Sequence, residues 1–215
     1  LIEFKRLANR LELLTAHDAF CLLKNCFSLP KLQYILRCAP CYNSQILQLY
    51  DNTIRETLQS ILNITLTETA WRQATLPVRN GGIGVRLATQ VALPAFLSSV
   101  ASSSALVHTL LPSPLHCSAG INDQLFTIAV EKWKEQSGQT EYPQLSTSQK
   151  AWELPLVGVV VERVLSAAPN QAGVARLLAA AAPHSGAFLQ VLPCSAVGTR
   201  LDDTSLRVAV ALRLG

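Results

Sequence analysis

Apolar residues recur along this chain at helical spacing, every three to four positions, and period-2 alternation is nearly absent. That pattern predicts helices and no sheet. Ile2, Leu7, Leu11 and Leu14 mark a first helix over residues 2–14. Residues 15–27 continue as a second, with Ala19, Leu22, Leu23 and Cys26 inward and Asp18 near its positive end. Pro30 opens a short helix over 31–37, where proline suits the first turn. The broadest stripe, Ile46, Leu47, Leu49, Tyr50, Ile54, Leu58, Ile61 and Leu62, predicts the longest helix at 44–63. Thr67 is a cap for a short helix ending at Thr75. Further on come 87–102, kinked or divided at Pro94, then 105–111, and 122–135 capped by Asn122. The series closes with 152–167, 171–182 capped by Asn170, 185–191, and a last helix opened by Asp202-Asp203. Segments 112–120 and 138–148 are loops, the second the expected mobile linker. The expectation is an all-α, irregular multi-helix array.

One stretch interrupts the pattern: Leu76-Pro77-Val78-Arg79-Asn80-Gly81-Gly82-Ile83-Gly84-Val85-Arg86. Three glycines in four positions cannot be a helix interior, where each costs about 1 kcal/mol relative to alanine. They permit φ > 0 and close backbone approach instead. By itself the turn reads as a helix-to-helix connector with two solvated arginines. Its chemistry also suits an oxyanion, since backbone N–H groups and planar guanidinium forks both recognise phosphate and carboxylate. The spacing is not that of a nucleotide-binding loop.

Charge sharpens this picture. The net charge is +4. Residues 1–90 hold ten Lys/Arg against six Asp/Glu, whereas residues 91–215 hold eight of each, so the whole excess lies in the first part. Such an excess is compatible with a polyanionic partner. Apolar residues make up 49% and charged residues 15%, which argues against disorder over most of the length. No apolar run reaches the roughly 18 residues expected of a membrane span, so no membrane partner is expected. Methionine is absent and the chain opens within a helical pattern, as in a piece of a longer polypeptide.

The candidate chemistry is sparse. Cys38 and Cys41 form a CxxC pair that His116 and Cys117 could complete as a zinc set. An adjacent His-Cys pair fits one tetrahedron poorly, so no metal is expected and the cysteines read as reduced thiols of an intracellular protein. Asp202-Asp203 resembles a polymerase metal pair only on paper, because it lies in helix-opening context without a third carboxylate. No nucleophile elbow, zinc-protease motif or Cys–His arrangement is present, and no residue of this span is predicted to be catalytic.

Three separated blocks carry a resemblance: HDAFCLLKNCFSLPKLQYILR (residues 17–37), AWRQATLPVRNGGIGVR (70–86) and PHSGAFLQVLPCSAVGTRLDDTSLRVAVALRLG (183–215). Together they resemble the animal non-LTR retrotransposon reverse transcriptases, in the region after the polymerase palm. The resemblance implies a thumb-like basic helical domain over 1–111 and a neutral connecting region over 112–215, truncated at its C-terminus. It implies catalytic aspartates and their Mg²⁺ upstream in the palm, with no cofactor in this span. The implied partners are an RNA–DNA or DNA duplex, and the upstream palm and downstream domains of the same polypeptide. The implied location is nuclear. Gripping a duplex by its backbone requires Lys, Arg and helix N-termini against phosphates. The candidates are Lys5, Arg6, Arg10, Lys24, Lys31, Arg37, Arg79 and Arg86. Two other classes stay open: a helical protein-interaction module with no nucleic-acid role, and an enzyme whose site the motifs do not reveal.

Overall fold

In a computed structural model, residues 2–110, 119–143 and 148–215 are described, and among them every regular element is helical. The helices are α1 (Ile2–Leu11), α2 (Ala16–Leu22), α3 (Leu29–Cys38), α4 (Gln45–Leu62), α5 (Glu68–Ala74) and α6 (Ala88–Leu110). They continue as α7 (Ala119–Ser137), α8 (Gln149–Ser166), α9 (Gln171–Ala181) and α10 (Asp203–Leu214). The all-α expectation holds. Compactness, however, divides the chain otherwise than at residue 111. Unit 1 comprises Leu1–Lys31, Gln48–Leu87 and Val160–Gly215, and unit 2 comprises Leu32–Leu47 and Ala88–Val159. The charge step near residue 90 is a property of the chain's order, whereas the units form wherever apolar faces meet.

Unit 1 is built around α4. Ile54, Leu58 and Leu62 have no exposed surface, and Tyr50 and Ile61 are buried beside them. The buried arc is narrower than the apolar stripe: Ile46 and Leu49 are 62% and 53% exposed, and Asp51, Thr53 and Thr57 are buried instead. The Thr53 hydroxyl donates to the Leu49 carbonyl and that of Thr57 to the Thr53 carbonyl, 2.9 and 2.7 Å, so both are satisfied within the helix. Leu58→Ala is expected to destabilise the protein by about 3 kcal/mol, from lost transfer energy and the cavity left behind. Urea melts of the two proteins would check this; a loss under about 1 kcal/mol would mean that the site collapses around the change.

The second predicted helix changes register partway. After α2 the chain runs through a π-helical turn, Leu23–Phe27, closed by Ser28 N–H donating to the Leu23 carbonyl at 2.8 Å. The wider turn rotates the residues that follow. Cys26, expected inward, is exposed, while Lys24, four residues after buried Phe20, keeps to the inward side of α2. The Tyr50 hydroxyl lies 2.5 Å from the Phe27 carbonyl and 3.1 Å from that of Ser28, where the helix has run out of N–H donors. Burial, reinforced by neighbouring Asp51, pushes the Tyr50 phenol well above its ordinary range.

Unit 2 has an aromatic centre. Trp133 of α7 donates its indole N–H to the Trp152 carbonyl of α8 at 2.8 Å, and the two rings meet edge to face at 5.3 Å. Tyr142 stacks on Trp152 at 5.8 Å, and Leu93, Phe96 and Leu97 of α6 complete the cluster. Here α6 departs from expectation, being one helix of 23 residues with Pro94 inside it. Burial of every residue from Val91 to Ser98 offsets the roughly 3 kcal/mol that an internal proline forfeits. Against the expectation that no apolar run is long enough, the stretch Ala88–Val107 has the length and composition to cross a membrane, and 44% of it is buried inside the fold, as in the core helix of a packed domain. Helix α7 begins at Ala119, before Asn122, which therefore does not cap it. His116, Cys117 and most of the predicted loop at 112–120 lie outside the described residues, as does 144–147 of the second loop. Among the described residues no group of three or more His, Cys, Asp or Glu side chains could hold a metal ion.

Candidate nucleic-acid interface

The glycine turn packs on α9 and α10 within unit 1. After Pro77 a single 3₁₀ turn, Val78–Asn80, leads into Gly81 at φ +85°, and Gly84 adopts φ +81°. The N–H groups of Asn80, Gly81, Gly82, Ile83 and Gly84 all donate to carbonyls of residues 74–78, at 2.8–3.2 Å. The turn therefore presents no fan of amide donors to an anion. Its glycines serve close packing and left-handed φ, and these five amides are not available to an oxyanion.

Side chains from distant elements lock the turn in place. Arg213 of α10, 7% exposed, donates to the Gly82 carbonyl at 2.9 Å, the Val78 carbonyl at 2.8 Å and Ser185 Oγ at 3.3 Å. Gln73 of α5 donates to the Gly81 and Arg213 carbonyls at 3.0 and 2.8 Å. Arg176 of α9 donates to Gln73 Oε1 at 3.1 Å and to the Arg213 carbonyl at 2.5 Å. Burial pulls both guanidinium groups below their ordinary pKa. No motif in the sequence marks Arg213. Its signal was positional: Leu206, Val210, Arg213 and Leu214 share one buried helical face, so a charge there needs built-in acceptors.

Seven of the eight candidate cations lie in unit 1, in differing surroundings. Lys5, Arg6 and Arg10 are exposed on α1, spanning roughly 140° of its circumference, opposite buried Phe4, Ala8 and Leu11. Lys31 pairs with Glu3 at 3.0 Å, which offsets its charge. Lys24 is half-buried, donates Nζ to the Leu189 carbonyl at 2.7 Å and lies against Gly84, where an added Cβ would meet its Cε at 3.0 Å. Desolvation lowers its pKa; it ties the π-helical turn after α2 to Leu189 instead of projecting toward a ligand. Arg79 is exposed, with Nε 3.4 Å from Asn80 Oδ1, and Arg86 is half-buried. Arg37 belongs to unit 2.

Comparison with protein families, curated proteins and solved structures finds no match to this chain. Its reading rests on its own residues.

His17, without a partner at useful spacing in the sequence, joins α2 to the segment before α10. It is buried, its Nδ1 accepts from the Leu201 N–H at 3.0 Å, and its ring also bonds the Phe188 carbonyl. Beside it Arg200 bonds Asp18 at 2.6 Å. Thr15 and Arg200 hold the Asp18 carboxyl below its usual range. Desolvation lowers the His17 pKa, so the unfolded chain takes up the proton first on acidification. Stability is then complete above about pH 6.5 and falls as pH drops toward the folded value. Urea melts at about pH 7 and about pH 5.5 are expected to show this loss, and His17→Gln to reduce it, by removing the titration. An equal pH dependence in the variant would assign the loss to other groups.

Proposed function

We propose that this chain is the thumb and following helical region of a non-LTR retroelement reverse transcriptase, which grips a primer–template duplex by its backbone. The observation that carries the reading is the convergence of the three resembling blocks. Residues 17–31 of the first, all of the second and all of the third lie in unit 1. They are joined through His17 and Leu201, Lys24 and Leu189, and Arg213 with Gly82 and Val78. Stretches separated by more than a hundred positions thus share one body. Its α1 carries three exposed cations unmatched by any carboxylate on the same helix beyond Glu3, which itself pairs with Lys31.

The chemistry expected of such a body is sequence-independent phosphate contact, with affinity falling steeply as salt rises through counterion release. Polymerisation would be the task of a palm on the same polypeptide, where Mg²⁺ would bind. Anisotropy of a labelled RNA–DNA duplex, titrated over salt, tests the reading. The variant Lys5→Ala/Arg6→Ala/Arg10→Ala is expected to lower the log–log slope by about two to three units, near one per lost phosphate contact. Unchanged slopes would remove α1 from the interface, and no binding at low salt would end the proposal.

A second reading, a helical protein-interaction module, draws on α6. Its charge-free second half leaves Leu106 and Leu110 59% and 71% exposed, an apolar surface of the kind that partners cover. Binding insensitive to salt would favour it.

A further inference from the structure

Unit 1 holds a cavity of about 280 Å³ beside the glycine turn, between Val78-Arg79 and the segment that follows α9. Its polar lining is Arg79, His184 and Gln190, and no acidic side chain lines it. His184 stands at φ +65°, a left-handed conformation that costs an L-residue about 1–2 kcal/mol. Strain of this kind persists where the surroundings over-determine it, and it clusters at binding sites. Here the surroundings are visible. Gly186 presses on the turn so closely that an added Cβ would lie 2.2 Å from Val78 Cγ1 and 3.1 Å from Arg213 Nη2. Arg213, bonded to the Val78 carbonyl and Ser185 Oγ, thus sets a second full positive charge behind the wall that Gly186 forms.

One feature opposes an anion. The C-terminal end of α9 borders the cavity, and a helix end of that polarity carries about half a negative charge. Ser185 covers part of it, donating Oγ to the Ala180 carbonyl at 2.6 Å and N–H to the Ala182 carbonyl at 3.2 Å. Two guanidinium charges against a partly covered half charge leave the cavity positive.

We propose that this cavity is a phosphate-binding site. Arg79 supplies a forked pair of donors, and the His184 ring N–H and the Gln190 amide supply the others. A phosphate could come from a nucleic-acid backbone or from free solution; only the choice of backbone phosphate rests on the duplex-gripping reading. The test follows the Arg79 Nε–H and His184 ring signals by NMR. Inorganic phosphate is titrated in one arm and a short RNA–DNA duplex in the other, with duplex binding measured separately by anisotropy. Both arms are expected to shift both signals, and Arg79→Gln or His184→Asn to weaken phosphate binding about tenfold, as for loss of a charge-assisted contact. Asparagine tolerates left-handed φ, so the second variant keeps the backbone. Shifts with phosphate, in a protein that binds no duplex, would uphold the site and defeat the duplex reading. A duplex that binds while both signals stay still would exclude backbone phosphate as the ligand and leave the duplex reading standing, and the phosphate arm would then decide the site. Silence in both arms, or variants that bind phosphate as tightly as wild type, would overturn the site.

Discussion

Gly82→Ala is expected to leave unit 1 unfolded, or more than about 3 kcal/mol less stable. A Cβ at this position would lie 2.0 Å from the Leu76 carbonyl oxygen and 2.6 Å from that of Gln73. Both neighbours are backbone, and both oxygens are already bonded: Gly84 N–H donates to Leu76 O, and Leu76 N–H to Gln73 O, each at 3.0 Å. Relief therefore requires moving the turn, and with it the Gly82 carbonyl that Arg213 holds. Gly198 supplies the control. It has φ +71° with nothing within 4 Å of an added Cβ, so Gly198→Ala carries only the left-handed penalty of about 1–2 kcal/mol. Urea melts followed by circular dichroism would rank the two. Equal losses would mean that close approach is not what Gly82 provides.

Arg213→Ala is expected to destabilise the protein by about 4 kcal/mol or more. Its side chain donates to the Gly82 and Val78 carbonyls and to Ser185 Oγ. Each buried acceptor left unpaired costs about 1–3 kcal/mol, and the vacated volume adds to this. Arg213→Lys separates charge from shape. An ammonium keeps the charge but cannot reach three acceptors with a planar fork, so it is expected to recover less than half of the loss. Denaturant melts of the three proteins decide between the two contributions. A lysine variant as stable as wild type would show that charge alone holds the turn. The circular dichroism midpoint is the useful readout, because no activity need be assumed.

Much of this fold was legible because it is local. Thr67, Asn170 and Asp202 were read as helix caps, and each side chain accepts the N–H three residues on, from Ala70, Gly173 and Ser205. A cap depends on one side chain and one turn of backbone, so composition and order suffice. Asp203, read with Asp202 as helix-opening, also reaches across to the Ala16 N–H at 2.8 Å, a partner 187 positions away. Nothing within its own helix could predict that.

The candidate site divides along the same line. That positive charge gathers before residue 90, and that α1 turns Lys5, Arg6 and Arg10 away from its apolar face, follows from residue order and the helical repeat. The fates of Lys24, Arg213 and His17 do not. Lys24 finds the Leu189 carbonyl, Arg213 finds acceptors more than a hundred positions away in the glycine turn, and His17 finds Leu201. The helix content and most helix boundaries were determined by the sequence alone, through hydrogen bonds closed within four residues. Which cations face solvent, which glycine admits no side chain, and which distant blocks form one body were decided by the tertiary structure. Those depend on desolvation and close packing between elements that order along the chain does not bring together.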